Sequence, residues 1–182
     1  ADLEQIDQIT QIFDALLRLS RLESGVGKDA FRRIDLGDLA RTVTETFEPV
    51  VSDAGQRLHA DVKHAAAVHG DQNLLIQLAA NLIQNALRHG APEQEIVLHV
   101  DGLRLSITDQ GSGIPPALRT KVLHPLTQGE STRQGEGFGL GLAMVRAIAD
   151  LHGAHLSLAD GPGGRGLSVT VQFPKMTDLS AS

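Results

Sequence analysis

The sequence predicts an α/β fold in which helices pack on one face of a sheet. Its core must be aliphatic, because 41% of the 182 residues are hydrophobic while only five are Phe and none is Trp or Tyr. Segments of helical period alternate with segments of strand-like period. Two alternating segments also flank Asp101-Gly102, a strong signal for a two-residue hairpin turn. A chain of this length holds one full core and a short appendage.

The appendage is predicted at the start of the chain. Residues 2–23 carry apolar positions at helical spacing, and Ser24 and Gly25 end that stripe. A single amphipathic helix of this length cannot bury its stripe alone. We expect it to pack on another chain or on a partner helix outside this sequence, unless it folds back on its own domain.

The α/β domain follows, with predicted N-caps at Asp38 and Asp71. Residues 109–137 lose periodicity and read as a long loop with at most one short helix after Pro115-Pro116, and a loop of that length is usually functional. Strands are predicted at 31–36, 57–62, near Val68, 95–100, 103–108, 154–159 and 166–173, and helices at 38–54, 71–89 and 139–152.

The charge balance limits the partners. A formal net charge of -6 provides no diffuse basic field, which argues against nucleic acid and anionic membranes. There are no cysteines, so disulfides and thiolate metal sites are excluded, in agreement with a reducing cytoplasm. No apolar stretch reaches membrane-spanning length, and no signal-like segment follows Ala1, so we expect a cytoplasmic piece of a longer protein.

The first chemical motif is the helical segment from Asn81 to His89. Asn81, Asn85, Arg88 and His89 share one helix face. Leu78, Leu82 and Ala86 form a different stripe that can face the core. Amide oxygens suit Mg²⁺, and an arginine suits a phosphate. An ordinary solvated face would explain the same pattern.

The second motif, Asp109-Gln110-Gly111-Ser112-Gly113-Ile114, ends a predicted strand. A carboxylate there can accept a hydrogen bond from an exocyclic amine, and the glycines let backbone approach a flat ring. The pattern predicts adenine recognition, although a plain turn leaving a strand would also produce it.

The third motif, Gly135 to Leu142, stands directly before a helix and carries glycine at alternate positions. Free amides at a helix start bind anions, so a phosphate is the predicted ligand. No βαβ unit surrounds it, which excludes a dinucleotide-binding turn. The glycines would otherwise only loosen the helix entrance.

In order and spacing, the three motifs resemble the N, G1 and G2 boxes of bacterial sensor histidine kinases. The segments 16–25, 70–74, 151–154 and 163–166 are also similar to stretches of that family. The resemblance implies a Bergerat-type fold, a two-layer sandwich of a mixed, mainly antiparallel sheet packed on helices. It divides the chain into the second helix of a truncated dimerisation domain (1–27), an ATP-binding catalytic domain (28–174) with its lid at about 114–136, and a disordered tail (175–182).

The resemblance also implies roles for residues. Asn85 would bind Mg²⁺ with help from Asn81, and Asp109 would hold the adenine of ATP. The implied nucleotide contacts are Asn81, Asn85, Arg88, His89, Asp109, Gly111, Gly113, Ile114, Gly137, Gly139, Leu140, Gly141 and Leu142, and the implied catalytic residues are Asn85, Arg88 and Arg133. The implied partners are a dimerisation domain with the phosphoacceptor histidine, a response regulator and a second copy in the full-length protein, which upstream segments would anchor in the inner membrane.

The chain departs from the family in two places. Its lid has Leu123, Leu126 and Gln128 where the family usually has two phenylalanines and an arginine, so a phosphate-facing lid cation would have to be Arg133 or Arg119. None of the eight histidines is followed by Glu or Asp, the usual mark of the phosphoacceptor. We therefore expect this chain to bind ATP without phosphorylating itself.

Asn81 stands where related ATPases place a glutamate that activates water. We therefore expect ATP hydrolysis to be slow and the γ-phosphate to be kept for a protein nucleophile.

Two other functions fit parts of the sequence. The altered lid would suit a catalytically weak module that binds nucleotide or only dimerises. The same pocket would suit a serine kinase, against which the helix at 2–23 argues.

Overall fold

A computed structural model describes Leu17, Ser20, Arg21 and residues 28–122 and 138–176. Leu17, Ser20 and Arg21 are helical, but the rest of the helix predicted at 2–23 lies outside the described residues. The same holds for 177–182 of the predicted tail and for 123–136 of the predicted lid. The division of the chain at residues 27 and 174 therefore stays a prediction.

The described helices and strands follow the predicted order. The helices are α1 (Leu36–Asp53), α2 (Gln72–His89), α3 (Pro116–Val122) and α4 (Phe138–Leu151). The strands are β1 (Arg32–Asp35), β2 (Arg57–Ala65), β3 (Ala67–Gly70), β4 (Glu95–Gly102), β5 (Arg104–Thr108), β6 (His155–Asp160) and β7 (Leu167–Gln172). In these ranges no helix is long and apolar enough to cross a bilayer.

The main sheet has five strands in the order β2-β4-β5-β7-β6. Only β2 and β4 run parallel, and the other neighbours are antiparallel. The predicted mixed, mainly antiparallel sheet is confirmed. A separate antiparallel pair joins β1 to β3, from Arg32 opposite Gly70 to Asp35 opposite Ala67.

One face of the sheet is covered by helices and the other is polar. On β4, Ile96, Leu98 and Val100 are buried and alternate with half-buried residues, as the two-residue side-chain period requires. These buried side chains join one core with residues of α1, α2 and α4. The result is a two-layer sandwich of helices on a sheet.

The N-cap of α1 and the hairpin turn lie at other residues than predicted. Asp35, not Asp38, is the N-cap of α1: its carboxylate accepts the backbone N–H of Asp38 at 2.9 Å. Both aspartates can cap, but Gly37 fits inside the first turn, where a Cβ would lie 2.9 Å from the Cβ of Ala65. In the hairpin Asp101 pairs with Arg104, so the turn lies one residue later than predicted.

Helices α2 and α4 pack against each other, with the start of α2 beside the end of α4, which indicates that they run antiparallel. Asp71, which caps the start of α2 through the Leu74 N–H, donates its own N–H to Nε2 of His152 at 3.1 Å, just beyond the end of α4. The predicted cap at Asp71 is confirmed. Because the two helices are antiparallel, the end of α2 and the start of α4 lie together at the opposite pole.

Candidate functional site

The last two turns of α2 carry the predicted polar face. Leu78, Leu82 and Ala86 are buried in the core, as the sequence predicted. Asn85 is also buried, with 6% of its surface exposed, while Asn81 is half-buried. Near its end, helix α2 therefore buries one amide side chain, that of Asn85.

Asn85 shows a feature that an ordinary solvated face does not explain. Its Oδ1 is buried, and no hydrogen-bond donor in the described part of the chain meets it. A buried amide oxygen without a partner costs free energy, roughly 1–3 kcal/mol. A hard cation such as Mg²⁺ would satisfy it, so Asn85 fits the ligand role that the resemblance implies.

Arg88 and His89 end α2. Arg88 is exposed, and His89 is half-buried. Burial, helped by the positive charge of Arg88, holds the pKa of the His89 imidazole below its ordinary value. A neutral His89 leaves Arg88 as the cation at this helix end.

Asp109 follows directly after β5 and is 5% exposed. Its Oδ1 accepts the backbone N–H of Gly111 at 2.9 Å and that of Leu167 at 3.1 Å. Burial raises the pKa of this carboxyl, while the two backbone donors oppose that shift. Among the described residues both bonds fall on Oδ1, so Oδ2 is left to accept an amine from a ligand.

Two glycines permit close backbone approaches at this site: Gly111 lies against the end of α2, and Gly166 lies against Asp109. A Cβ on Gly111 would overlap the backbone carbonyl of His89, and one on Gly166 would overlap the carbonyl of Asp109. Gly166 also has φ of +75°, a region that favours glycine. The strand end that carries Asp109 is therefore in backbone contact with the helix that carries Asn85.

The predicted phosphate loop lies only partly within the described residues. Helix α4 begins at Phe138, so Gly139, Leu140, Gly141 and Leu142 form its first turns, and Leu142 is fully buried. Gly137 and Arg133 lie outside the described residues. The start of α4 lies at the same pole as the end of α2, which supports but does not test the predicted phosphate site.

Arg119, one of the two candidate lid cations, is engaged elsewhere. Its Nε donates to the carbonyl of Ile114 at 3.0 Å, and its Nη2 lies 2.7 Å from Oδ1 of Asp160. Ile114 itself is buried, with 6% of its surface exposed. Arg119 thus ties α3 to the end of β6.

Comparison with known proteins identifies the fold. Residues 70–177 match the family described as histidine kinase-, DNA gyrase B- and HSP90-like ATPases. The chain belongs to this ATPase family. The match covers more than half of the chain and includes Asn81, Asn85, Asp109 and the predicted phosphate loop.

Individual members of the ATPase family are sensor proteins. Sensor protein KdpD of Mycobacterium tuberculosis is 30% identical over 96% of this chain and 21% of its own length. The mycobacterial sensor histidine kinase MprB is 25% identical, with a TM-score of 0.66 over 79% of this chain and 97% of the MprB chain. Full-length ShkA, solved with AMPPNP, is 23% identical, with a TM-score of 0.78 over 94% of this chain and 36% of its own. The present chain thus spans about a fifth of the length of KdpD.

These relatives confirm the predicted ATPase fold, and the family match supports ATP as the ligand. Sequence reasoning did not single out two residues that hold the site together. Gly166 is named only as the start of a predicted strand and within the segment 163–166 that resembles the family, and that glycine-rich segment was a usable signal. Gln94 was missed, because a glutamine between Pro92-Glu93 and a strand carries no sequence mark of burial.

Proposed function

We propose that the chain is the ATP-binding catalytic domain of a sensor histidine kinase, which transfers the γ-phosphoryl group of ATP to a histidine of the dimerisation domain for relay to a response regulator. The observation that carries this proposal is the unpartnered Oδ1 of buried Asn85. The helix that carries Asn85 is in backbone contact with the strand end that carries Asp109. The sensor proteins among its relatives support the same assignment.

In this site Asp109 reads the base and α2 faces the phosphates. Oδ2 of Asp109 accepts the exocyclic amine of adenine, while the Gly111 and Leu167 amides hold Oδ1. Asn85 would hold Mg²⁺ through Oδ1, with Asn81 one helical turn earlier, and a bound ion would supply positive charge for the phosphate oxygens. Arg88, His89 and the start of α4 complete the phosphate side.

The transfer itself asks little covalent chemistry of this chain. A ring nitrogen of the acceptor histidine attacks the γ-phosphorus, an N–P bond forms, and the bond to the bridging oxygen breaks to release ADP. Catalysis then consists of positioning and charge neutralisation by Arg88 and Arg133, to which a bound Mg²⁺ would add positive charge. Helix α2 contains no Asp or Glu, so it places no general base against water and hydrolysis is slow.

The remaining partners belong to the longer parent protein. The domain works on the cytoplasmic side, opposite a dimerisation domain that supplies the phosphoacceptor histidine, and upstream segments anchor the parent in the inner membrane. The parent is a homodimer, and residues 1–27 provide the second helix of its dimerisation domain.

Calorimetry with ATP tests the pocket. With Mg²⁺ present, Asn85→Ala should weaken ATP binding about ten- to a hundred-fold, because a charge-assisted contact contributes roughly 1.5–3 kcal/mol. Gln84→Ala is the matched control: it removes an exposed amide from the neighbouring position of α2 and should leave affinity unchanged. If Asn85→Ala binds Mg²⁺ and ATP as the wild type does, the site assignment is wrong.

A phosphorylation assay tests the kinase reaction. The chain is mixed with radiolabelled ATP and the full dimerisation domain, and acid-labile phosphate on the acceptor is the expected product. The chain alone should acquire none. A stable phosphohistidine on the chain alone, or no transfer to any histidine-containing acceptor despite tight ATP binding, would contradict the proposal.

A further inference from the structure

Gln94 is a buried polar residue with a fully used side chain. It is 1% exposed, although it lies in the turn between α2 and β4. Its Nε2 donates to the carbonyl of Ala86 at 2.8 Å and to Oε1 of Gln56 at 2.7 Å. Its Oε1 accepts the backbone N–H groups of Ala91 at 3.2 Å and Gln110 at 2.9 Å. Two donors and two acceptor positions are the whole capacity of an amide side chain.

The partners of Gln94 are placed next to the site residues. Ala86 directly follows Asn85 on α2, and Gln110 directly follows Asp109 after β5. The Gln94 amide therefore bridges the helix end that carries Asn85 and the strand end that carries Asp109. It does so with one donor on the helix side and one acceptor on the strand side.

Steric features around the bridge fix its length. A Cβ on Gly90 would overlap the Gln94 amide, and a Cβ on Gly111 would overlap the carbonyl of His89. Gln110 strengthens the strand side, because its Oε1 accepts the Glu95 N–H at 3.1 Å. An apolar side chain at position 94 would fill the space but would leave the Ala91 and Gln110 amides without their acceptor.

We propose that Gln94 is a positioning residue of the nucleotide site, which sets the separation between the base-reading carboxylate of Asp109 and the phosphate-facing end of α2. The inference rests on the proposed function. Gln94 does not contact the nucleotide in this proposal. It maintains the preference for adenine, because an Asp109 carboxylate that shifts relative to the phosphates no longer meets the 6-amino group.

Gln94→Met tests this, because methionine keeps the length and volume of glutamine and removes all four hydrogen bonds. ATP affinity should fall about ten-fold, while GTP, which lacks the 6-amino group, should lose less, so the ratio of ATP to GTP affinity shrinks. In the Asp109→Asn background the same substitution should cost less than about two-fold, because the group being positioned is already ineffective.

Val51→Ala is the control for general loosening, since it opens a cavity at a fully buried position of α1. It should lower the melting temperature and leave the ATP to GTP ratio unchanged. If Gln94→Met reduces both affinities equally, or if its effect adds fully to that of Asp109→Asn, Gln94 is merely structural and the inference is overturned. Wild type that binds no ATP would overturn the proposed function as well.

Gln94→Glu provides a second test of the positioning role if the methionine variant does not fold. Glutamate retains the acceptor for the Ala91 and Gln110 N–H groups but loses the donor to Ala86 and Gln56. Protonation returns one donor, so its ATP affinity, relative to wild type at the same pH, should recover as pH falls from about 8 to about 6. A deficit that stays constant over that range overturns the inference.

Discussion

Burial of the Asp109 carboxylate costs free energy, because the residue is 5% exposed and its two hydrogen bonds fall on one oxygen. Asn at this position would keep an acceptor for the Gly111 and Leu167 amides and would remove the charge. We therefore expect Asp109→Asn to raise the free energy of unfolding at pH 7. The same substitution should weaken ATP binding, because the Asn amide would present a donor to the adenine amine. Chemical denaturation and calorimetry measure the two effects.

The pH dependence of that stability difference has a definite sign. Burial raises the pKa of Asp109 in the native state, so between 3.8 and that raised value the native protein binds more protons than the unfolded one. Its free energy of unfolding falls as pH rises through this window. The advantage of Asp109→Asn should accordingly vanish below pH 3.8. An Asn variant that is less stable than wild type at pH 7 would contradict this account.

His152, at the pole opposite the site, is a neutral buried histidine. Nε2 accepts the Asp71 N–H, so Nδ1 carries the proton that faces the carbonyl of Ile148 at 2.7 Å. Phe31 stacks on the ring, with centroids 4.7 Å apart. Burial lowers the pKa of His152; the Ile148 carbonyl and Asp71 oppose the shift, while His69 and Lys28 add to it.

A lowered histidine pKa predicts loss of stability in acid. Below pH 6.5 the unfolded chain takes up a proton that native His152 does not, so the free energy of unfolding falls as pH drops from there toward the lowered pKa. His152→Gln should cost roughly 1–3 kcal/mol at pH 8 and show a flatter pH profile. His155→Gln, which removes an exposed histidine, should keep the wild-type slope. Equal slopes for wild type and His152→Gln would refute the assignment.

At the scale of single residues the sequence identified the candidates that lie in motifs. Asn85 and Asp109 could be chosen because helical spacing and a strand end put them in recognisable places. The unpartnered Oδ1 of Asn85 and the bridge made by Gln94 could not be predicted. Both depend on which groups the fold brings together, as the bond between Gln94 and Gln110 across 16 residues illustrates.

Helix α3 is held at its start by Arg119, which reaches both Ile114 and Asp160. Arg119→Met should release α3, so that amide hydrogen exchange at 116–122 accelerates while global stability falls by no more than about 1 kcal/mol. The ratio of ATP to ADP affinity should stay constant, because the guanidinium is directed to Asp160 and not to a γ-phosphate.

Asp160→Asn is the matched control for Arg119, since it removes the same ion pair from the other side. Both variants should accelerate exchange to a similar extent. If Arg119→Met collapses the preference for ATP over ADP while Asp160→Asn does not, Arg119 contacts phosphate after all and its engagement with Asp160 is secondary.

At the scale of elements, local sequence signals predicted where helices and strands lie, but they did not predict which strands pair with each other. The caps, the hairpin and the short α3 were predicted within a few residues, because turn and cap residues act locally. The displaced cap of α1 shows the limit, since Asp35 and Asp38 are equivalent in sequence and only the approach of Gly37 to Ala65 separates them. The parallel pairing of β2 with β4 has no local signal.

The whole domain is larger than the range that matches the ATPase family. Strand β2 pairs with β4 from Arg57 opposite Glu95 onward, and α1 buries five hydrophobic residues in the same core, namely Leu36, Leu39, Ala40, Val43 and Val51. A truncated chain of residues 28–182 should unfold cooperatively and bind ATP as the full chain does. One of residues 70–182 should do neither.

Thermal unfolding followed by circular dichroism, together with an ATP titration, compares the two truncated chains. The lost segment includes one edge strand and the helix over it, so the 70–182 chain would expose the apolar face of β4 to water. Cooperative unfolding and ATP binding by residues 70–182 would show that α1 and β2 are accessory.

Strand β7 sits between β5 and β6, although it is the last of the three in the chain. Leu105 pairs with Val171 and Leu156 pairs with the same Val171, so neither older strand finds this neighbour until β7 exists. During synthesis, the β5 edge of the β4–β5 hairpin therefore stays unpaired until β7 has been made. A chain that terminates before residue 167 would keep this edge exposed to aggregation and to proteases.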